Sequence, residues 1–321
     1  MDLLQKIAEN FATTTEMSAK VAAFVEDASG LLSYGPEKYI PLFEHILATV
    51  RKQQLLKEEV MLLGRLSHLL RIQGEHKQAL VAAEEGLVLA KQINNVWTIA
   101  TSYNNIGVCH FSSSKHEKAT QNFLLALQYA EEAGHVSLIQ GVYYNLSLIY
   151  SNEGKYKAAI GNLKKSLEIA LTRKNYDGIA NASISLGGIY LDKGDLENAS
   201  QHFYNSLAIL DKVVNQQIIA STYNSLASLY RMQENIDKSL FYFEKAAGIS
   251  QKNKDLASHA IILMNISMIY YEIKKDYNKA LVCVQEAFLF GQKLKSTYIQ
   301  CTAQKEMGNI YLAQKKYFIA L

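Results

Sequence analysis

Polar side chains that both donate and accept hydrogen bonds return in one register about every forty residues of this 321-residue chain. They are Asn105, Asn145, Ser185, Ser225 and Asn265, and the register one residue earlier adds Asn104, Tyr144 and Asn224. A carboxamide presents donors and an acceptor, and every residue of an extended peptide offers the same pair. The spacing indicates a row of contacts for peptide backbone. In the alternative, which the sequence leaves open, each asparagine bridges to a neighbouring element of its own chain.

Charged and apolar side chains occupy the neighbouring positions. Arg65, His68 and Arg71 form a basic end, and Arg231 adds a positive charge further along. We expect an apolar floor made of Val108, Phe111, Tyr144, Leu148, Ile184 and Leu191. A mixed surface of this kind is typical of a binding site for a peptide or protein.

The eight histidines and three cysteines show no pattern of a metal site or a catalytic centre. There is no HxxxH or HExxH pair, and Cys109, Cys283 and Cys301 are too widely spaced for a CxxC ligand pair. His110 takes a packing position and is expected in the core or at its boundary. Phosphate-binding glycine loops and the GxSxG nucleophile motif do not occur. We therefore expect no cofactor, no metal and no enzymatic activity; a weaker alternative is a phosphatase acting through a glutamine such as Gln5.

An internal repeat positions these registers. Its anchor is a small residue that recurs at intervals of 40, with a single 41 before the sixth: Ala79, Ala119, Ala159, Ala199, Ser239, Ala280 and Ala320. A second small residue precedes each anchor: Ser67, Gly107, Ser147, Gly187, Ala227, Ser267 and Gly308. Small residues allow two helices to approach within about 8–10 Å. Each repeat is therefore predicted to form two antiparallel helices. Since the chain has only two prolines to interrupt helices, we predict an all-α fold for the whole chain.

The repeat resembles the tetratricopeptide repeat (TPR) family. The matching residues are Tyr103, Ile106, Gly107, Ala119, Phe123 and Ala126, and again Leu186, Gly187, Tyr190, Gly194, Ala199 and Phe203. The period departs from the family's common length of about 34 residues and is similar to the long repeats of kinesin light chains, spindle-orientation adaptors and Rap-type peptide receptors. The resemblance implies a right-handed superhelical solenoid whose first helices line a concave groove. It also implies that Asn105, Asn145 and Asn265 hold peptide backbone.

The repeat defines the expected domains. Residues 1–55 are expected to form a degenerate helical cap, with Pro36 at a helix start, and residues 56–321 six full repeats and an incomplete seventh. The second helix of the seventh repeat would begin near Lys316 and run for about twenty residues, as we expect of its predecessors. We therefore expect the chain to be part of a longer protein, and its last repeat to permit end-to-end self-association.

The predicted function is a scaffold that binds a protein or an extended peptide in the groove, as the interaction or sensory part of a larger signalling protein. The alternative is a Rap-type regulator that compacts when a peptide binds, with the N-terminal segment as its output. A net charge of +3 predicts no nucleic-acid partner. No signal peptide and no apolar run of about 18 residues is evident, so we expect a cytoplasmic protein without a membrane partner.

Overall fold

The computed structural model describes residues 20, 21, 24, 36–294 and 296–314 of the chain. It comprises two compact units, Met1–Ile169 and Ala170–Leu321. Within the described ranges every regular element is a helix and no residue lies in a strand. Tandem helical hairpins of this kind are the all-α fold class that the sequence predicts.

Most of the helices contain 17 residues. Unit 1 contains α1 (Pro36–Lys52), α2 (Leu56–Ile72), α3 (His76–Gln92), α4 (Val96–Ser112), α5 (His116–Glu132), α6 (Val136–Asn152) and most of α7 (Tyr156–Thr172). Unit 2 contains α8 (Tyr176–Asp192), α9 (Leu196–Leu207), α10 (Gln216–Met232), α11 (Ile236–Lys252), α12 (Leu256–Met268), α13 (Tyr277–Lys293) and α14 (Thr297–Ala313). The hairpins are α2–α3, α4–α5 and α6–α7 in unit 1, and α8–α9, α10–α11 and α12–α13 in unit 2. The helix α14 has the position expected for the first helix of the seventh repeat.

A residue with a left-handed backbone ends almost every helix, at intervals of twenty. The series is Gln54, Gly74, Asn94, Ser114, Gly134, Gly154, Lys174, Gly194, Glu234, Lys254 and Lys275. After α2, the Gly74 amide donates to the Arg71 carbonyl at 3.1 Å and the Glu75 amide to the Leu70 carbonyl at 2.9 Å. These bonds satisfy carbonyl groups that a helix end leaves free.

Two irregularities have local causes. Val214 occupies the turn position of the series but has no positive φ, because a branched Cβ disfavours the left-handed region. There α9 ends early, at Leu207, and a short 3₁₀ turn, Leu210–Lys212, follows. The extra residue of the sixth repeat is absorbed by a π-helical segment, Ile269–Ile273, at the end of α12.

The two rows of small residues lie where helices cross. All anchors within the described part of the chain are fully buried, and so are the small residues of the first helices, except Gly308. A Cβ atom added to Gly107 would lie 2.7 Å from the ring of Phe123, and one added to Gly187 would lie 2.5 Å from the ring of Phe203. Glycine is therefore required at these crossings because a phenylalanine of the second helix fills the space.

The structure corrects three expectations. The second helices are 17 residues long or shorter, not about twenty, because the left-handed residue ends them. Met264 shares the register of Asn104, Tyr144 and Asn224, which are expected on the open face, but it is buried against the core of unit 2. One stretch, Leu256–Ile273, is long and apolar enough to span a membrane by length and composition, although about 44% of it is buried inside the protein.

Helix α1 begins at Pro36, as predicted for the cap. Gln5, most of residues 1–35 of the expected cap, and the residues expected to form the second helix of the seventh repeat lie outside the described residues.

Candidate functional site

One face of the first helices is left partly uncovered. In each unit these helices lie side by side, α2 against α4 and α4 against α6 in unit 1, and α8 against α10 and α12 against α14 in unit 2. The ten residues predicted to bind a partner are all half-buried on this face. Arg65, Asn104, Asn105, Tyr144 and Asn145 belong to unit 1, and Ser185, Asn224, Ser225, Arg231 and Asn265 belong to unit 2.

Two pairs of asparagines link adjacent first helices. In unit 1 the Asn145 Nδ2 group donates to Asn104 Oδ1 at 3.0 Å, and in unit 2 the Asn265 Nδ2 group donates to Asn224 Oδ1 at 3.1 Å. These bonds are the bridges of the alternative interpretation. Each pair still has free N–H groups and carbonyl lone pairs, because one bond uses only part of a carboxamide's capacity. Bridging therefore orients the amides without excluding contact with a ligand.

Asn105 differs from the paired asparagines. Its side chain makes no hydrogen bond with any residue that the structure describes. Its Nδ2 atom lies above Gly64 of the preceding first helix, where an added Cβ would be only 2.8 Å away. The absence of a side chain at Gly64 thus makes room for an unused carboxamide.

The basic end of unit 1 is formed by Arg65, His68 and Arg71 of α2. Arg71 Nη2 lies 3.0 Å from His68 Nδ1, and Arg71 Nη1 donates to Ser112 Oγ of α4 at 3.4 Å. Burial and the positive charges of the two arginines lower the pKa of His68 to about 4, so the imidazole is neutral at pH 7. Burial also lowers the pKa of both guanidinium groups, which remain charged.

Unit 2 carries acidic groups on the same face, which the sequence did not single out. Arg231 Nη1 lies 4.0 Å from Glu272 Oε2, and Glu272 belongs to the π-helical segment. Burial and the Glu272 carboxylate raise the pKa of Glu306 to about 7. The Glu306 Oε2 atom is buried without a hydrogen-bond partner. The repeat register alone does not predict a π-helical segment. The sequence feature that points to it is the one extra residue before Ala280.

Apolar residues also lie on the open face of the first helices in each unit. Val108 and Phe111 pack beside the buried core of unit 1 that contains Phe123, and both remain partly accessible. Leu148 in unit 1 is also half-buried, as are Ile184 and Leu191 in unit 2. All six residues expected to form the apolar floor, Tyr144 included, are thus partly accessible on the first helices.

The described residues give no separate catalytic or metal arrangement. None of their histidine, cysteine and acidic side chains form a group of three able to hold a metal ion. His110 is buried, as predicted, and its Nδ1 atom has no hydrogen-bond partner. Burial raises the pKa of the Cys109 thiol, which lies 3.3 Å from Ser67 Oγ, so this thiol is not poised as a nucleophile.

Comparison with known families agrees with this architecture. The tetratricopeptide repeat model matches three overlapping segments, residues 98–172, 138–212 and 178–252. A comparison of the sequence with curated proteins found no match.

Several solved structures share the fold. The apo quorum sensor NprR from B. thuringiensis aligns with a TM-score of 0.67 and 15% identity, covering 98% of this chain and 88% of that one. A Rap protein complexed with Competence and Sporulation Factor gives a TM-score of 0.67 and 17% identity, covering 91% and 80%. A tetratricopeptide repeat protein from Parabacteroides merdae gives 0.57 and 18% identity, covering 90% and 97%. At these identities the likeness concerns the fold.

Proposed function

We propose, from the match of residues 98–252 to the tetratricopeptide repeat model, that this chain is a binding scaffold whose first helices hold an extended peptide or partner segment. The observation that carries the proposal is the half-buried face with its row of carboxamides. Asn105 has unused donors and an unused acceptor, and Asn104 and Asn145 are held in place by their mutual bond. No catalytic family is indicated, and the proposed function is not enzymatic.

The spacing of the row suits an extended chain. Neighbouring packed helices lie about 8–10 Å apart, and an extended peptide advances about 3.3 Å per residue. A ligand that crosses the first helices therefore meets one carboxamide for roughly every three of its residues. Contacts with the ligand backbone do not depend on the ligand's sequence. Val108, Phe111 and Leu148, which lie beside the carboxamides, favour apolar side chains of the ligand.

An array of synthetic decapeptides tests the proposal. The purified chain is compared with the double variant Asn105→Ala/Asn145→Ala. We expect binding to the best peptides to fall about five- to 150-fold, since two hydrogen bonds are lost and each is worth about 0.5–1.5 kcal/mol. Stability should change little, because alanine's higher helix propensity offsets the lost Asn104–Asn145 bond.

The matched control is Asn122→Ala/Asn162→Ala. These two asparagines lie forty residues apart on the second helices, and each donates to a carbonyl of its own helix, that of Lys118 or Ala158. The control should bind peptides as the unaltered chain does. Equal losses in both double variants, or unfolding of the Asn105/Asn145 variant, would contradict the proposal.

A second candidate is a peptide-responsive regulator. It is favoured by the alignment with the quorum sensor NprR, which covers 98% of this chain. Small-angle X-ray scattering with and without a peptide selected from the array separates the two functions. A smaller radius of gyration on binding supports the regulator, and an unchanged radius supports a passive scaffold.

A further inference from the structure

A pocket of about 570 Å³ opens between the helices α1 and α3 of unit 1, above the helix α2 that packs against both. Its floor is apolar and buried, and consists of Leu47, Leu63, Leu66, Leu70 and Ala82. Exposed side chains surround this floor, among them Glu44, Arg51, Lys77, Val81 and Glu85. The leucines of α2 belong to its packing side, so the pocket is separate from the open face that carries Asn105.

Aromatic rings fill the same place four repeats further on, between α9, α10 and α11 of unit 2. The positions of Glu44, Leu63, Leu70 and Ala82 correspond there to Tyr204, Tyr223, Tyr230 and Tyr242. Tyr242 stacks on Tyr223 and on Tyr230, with ring centroids 5.9 and 5.5 Å apart. The hydroxyl groups of Tyr204 and Tyr230 are hydrogen-bonded to each other. Four tyrosines thus pack together where unit 1 has its pocket.

The fourth repeat shows the same stacked pair. Tyr190 and His202 occupy the positions of Leu70 and Ala82, and their ring centroids lie 5.5 Å apart. Leucine and alanine place no ring in this space in the first repeat, and the pocket is the volume that the smaller side chains leave open. The fold therefore has a position for aromatic rings here that unit 1 does not fill with its own side chains.

One cation at the edge of the pocket has a fixed orientation. Arg51 of α1 donates from Nε to Glu59 of α2 at 2.7 Å, and its guanidinium group also contacts Glu85 of α3. A planar guanidinium group can stack on the face of an aromatic ring.

The charges of the rim cancel. It carries two basic residues, Arg51 and Lys77, and two acidic residues, Glu44 and Glu85. A charged ligand would therefore meet no excess of opposite charge, and the balanced rim complements an uncharged one.

We infer that this pocket binds an uncharged aromatic small molecule of two or three rings, which takes the place that tyrosine rings have in the fifth repeat. The ligand lies on Leu63, Leu66 and Leu70, with Arg51 at its edge. The pocket volume is within the range of about 300–1,000 Å³ that is typical of small-molecule sites. The pocket shares no side chain with the proposed peptide-binding face, so its test is independent of that function.

Two neutral probes with one carbon skeleton test the pocket. They are 2-naphthol and its saturated counterpart decahydro-2-naphthol, which differ in aromaticity and share the single hydroxyl group. NMR titration of the chain labelled at its leucine methyl groups measures both affinities. An aromatic ring shifts the signals of nearby methyl groups, so Leu63, Leu66 and Leu70 report on the pocket. Leu226, the counterpart of Leu66 in the fifth repeat, is the internal control.

We expect 2-naphthol to shift the three pocket leucines in a saturable way and to leave Leu226 unchanged. It should bind about two- to tenfold more tightly than decahydro-2-naphthol, the range of one aromatic interaction. Arg51→Lys keeps the charge but loses the planar group, and should reduce this preference about two- to fivefold.

The double variant Leu70→Tyr/Ala82→Tyr introduces the tyrosine pair of the fifth repeat. It should weaken 2-naphthol binding about five- to 150-fold, because a ligand would have to displace the new rings. The matched control Val88→Tyr adds a tyrosine to the exposed surface of α3, outside the pocket, and should bind 2-naphthol as the unaltered chain does. Thermal melts followed by circular dichroism establish that each variant is folded.

Several results would overturn the pocket as an aromatic site. They are the lack of saturable 2-naphthol binding, equal shifts of Leu66 and Leu226, or equal affinity for the two probes. Undiminished binding by a folded Leu70→Tyr/Ala82→Tyr variant would have the same meaning. If that variant does not fold, the comparison of the two probes and the leucine shifts of the unaltered chain still decide the question.

Discussion

Two adjacent glycines of α8 should respond in opposite ways to the same substitution. Gly187 faces the second helix α9, and a Cβ added there would lie 2.5 Å from Phe203 Cε1 and 2.6 Å from Cδ1. Gly188 is the next residue, and a Cβ added there would have no atom within 4 Å. We expect Gly187→Ala to destabilise unit 2 and Gly188→Ala to stabilise it.

The magnitude follows from packing and helix propensity. Phe203 is 1% exposed, so its ring cannot move out into solvent to make room. Overpacking of this kind costs about 1–3 kcal/mol. Replacing glycine by alanine inside a helix contributes about 1 kcal/mol in favour of folding, and this gain is common to both variants. The difference between their free energies of unfolding therefore isolates the packing cost and should be about 1–3 kcal/mol.

Urea unfolding followed by circular dichroism measures this difference. The two units can unfold separately, so the transition that belongs to unit 2 is the one compared. Introducing Phe203→Leu should relieve the clash of Gly187→Ala. The equivalent positions of unit 1, forty residues earlier, hold Ser147 and Leu163, where a side chain larger than glycine faces leucine in place of phenylalanine. Gly187→Leu should cost more than Gly187→Ala because it is larger. Equal stability of Gly187→Ala and Gly188→Ala would refute the steric explanation of the small residues.

Two further predictions concern charge and backbone conformation. The pKa of Glu306 is raised from its ordinary value of 4.5 to about 7 in the folded chain. The free energy of unfolding of unit 2 should therefore fall as the pH rises from 4.5 to 7, because the carboxyl group loses its proton at a lower pH in the unfolded chain than in the folded one. Glu306→Gln should therefore stabilise unit 2 by about 1–2 kcal/mol at pH 8, after discounting for partial exposure, and not at pH 4; equal effects at both pH values in urea titrations would contradict this. Glu234→Gly should raise the free energy of unfolding of unit 2 by about 1 kcal/mol, and with it the melting temperature, because Glu234 has a φ of 60° that glycine adopts freely. Gly194, which already has a φ of 74°, shows that the turn accepts glycine, and a lower melting temperature of Glu234→Gly would contradict the prediction.

Much of the fold could be predicted because the repeat itself is a physical constraint. A small residue such as Gly107 or Gly187 returns only where two helices cross, and the packing it allows is local to one hairpin. The turns were equally readable, since Gly74, Gly154 and Gly194 occupy positions with positive φ. The early end of α9 at Leu207 was not predictable from the repeat, although Val214, where the other repeats have a left-handed residue, marks the same loop as irregular.

The candidate site was predicted only as a set of registers. Periodicity placed Asn104, Asn105 and Asn145 on one face, but it could not decide which amides bond to each other. Which amides bond to each other depends on the distance between neighbouring first helices. It also depends on the lack of a side chain at Gly64, which leaves room for the Asn105 carboxamide. The proximity of Glu272 and Glu306 in unit 2 likewise depends on which side chains meet across helices.

The most direct test of the proposed binding face is a titration of the ¹⁵N-labelled chain with the tightest peptide from the array. The side-chain NH₂ signals of Asn105 and Asn145 report on the first helices, and those of Asn122 and Asn162 on the second helices. We predict that the first pair of signals shifts in step with binding while the second pair stays unchanged. A peptide that saturates the chain but moves only the signals of Asn122 and Asn162, or neither pair, would contradict the assignment of the binding face.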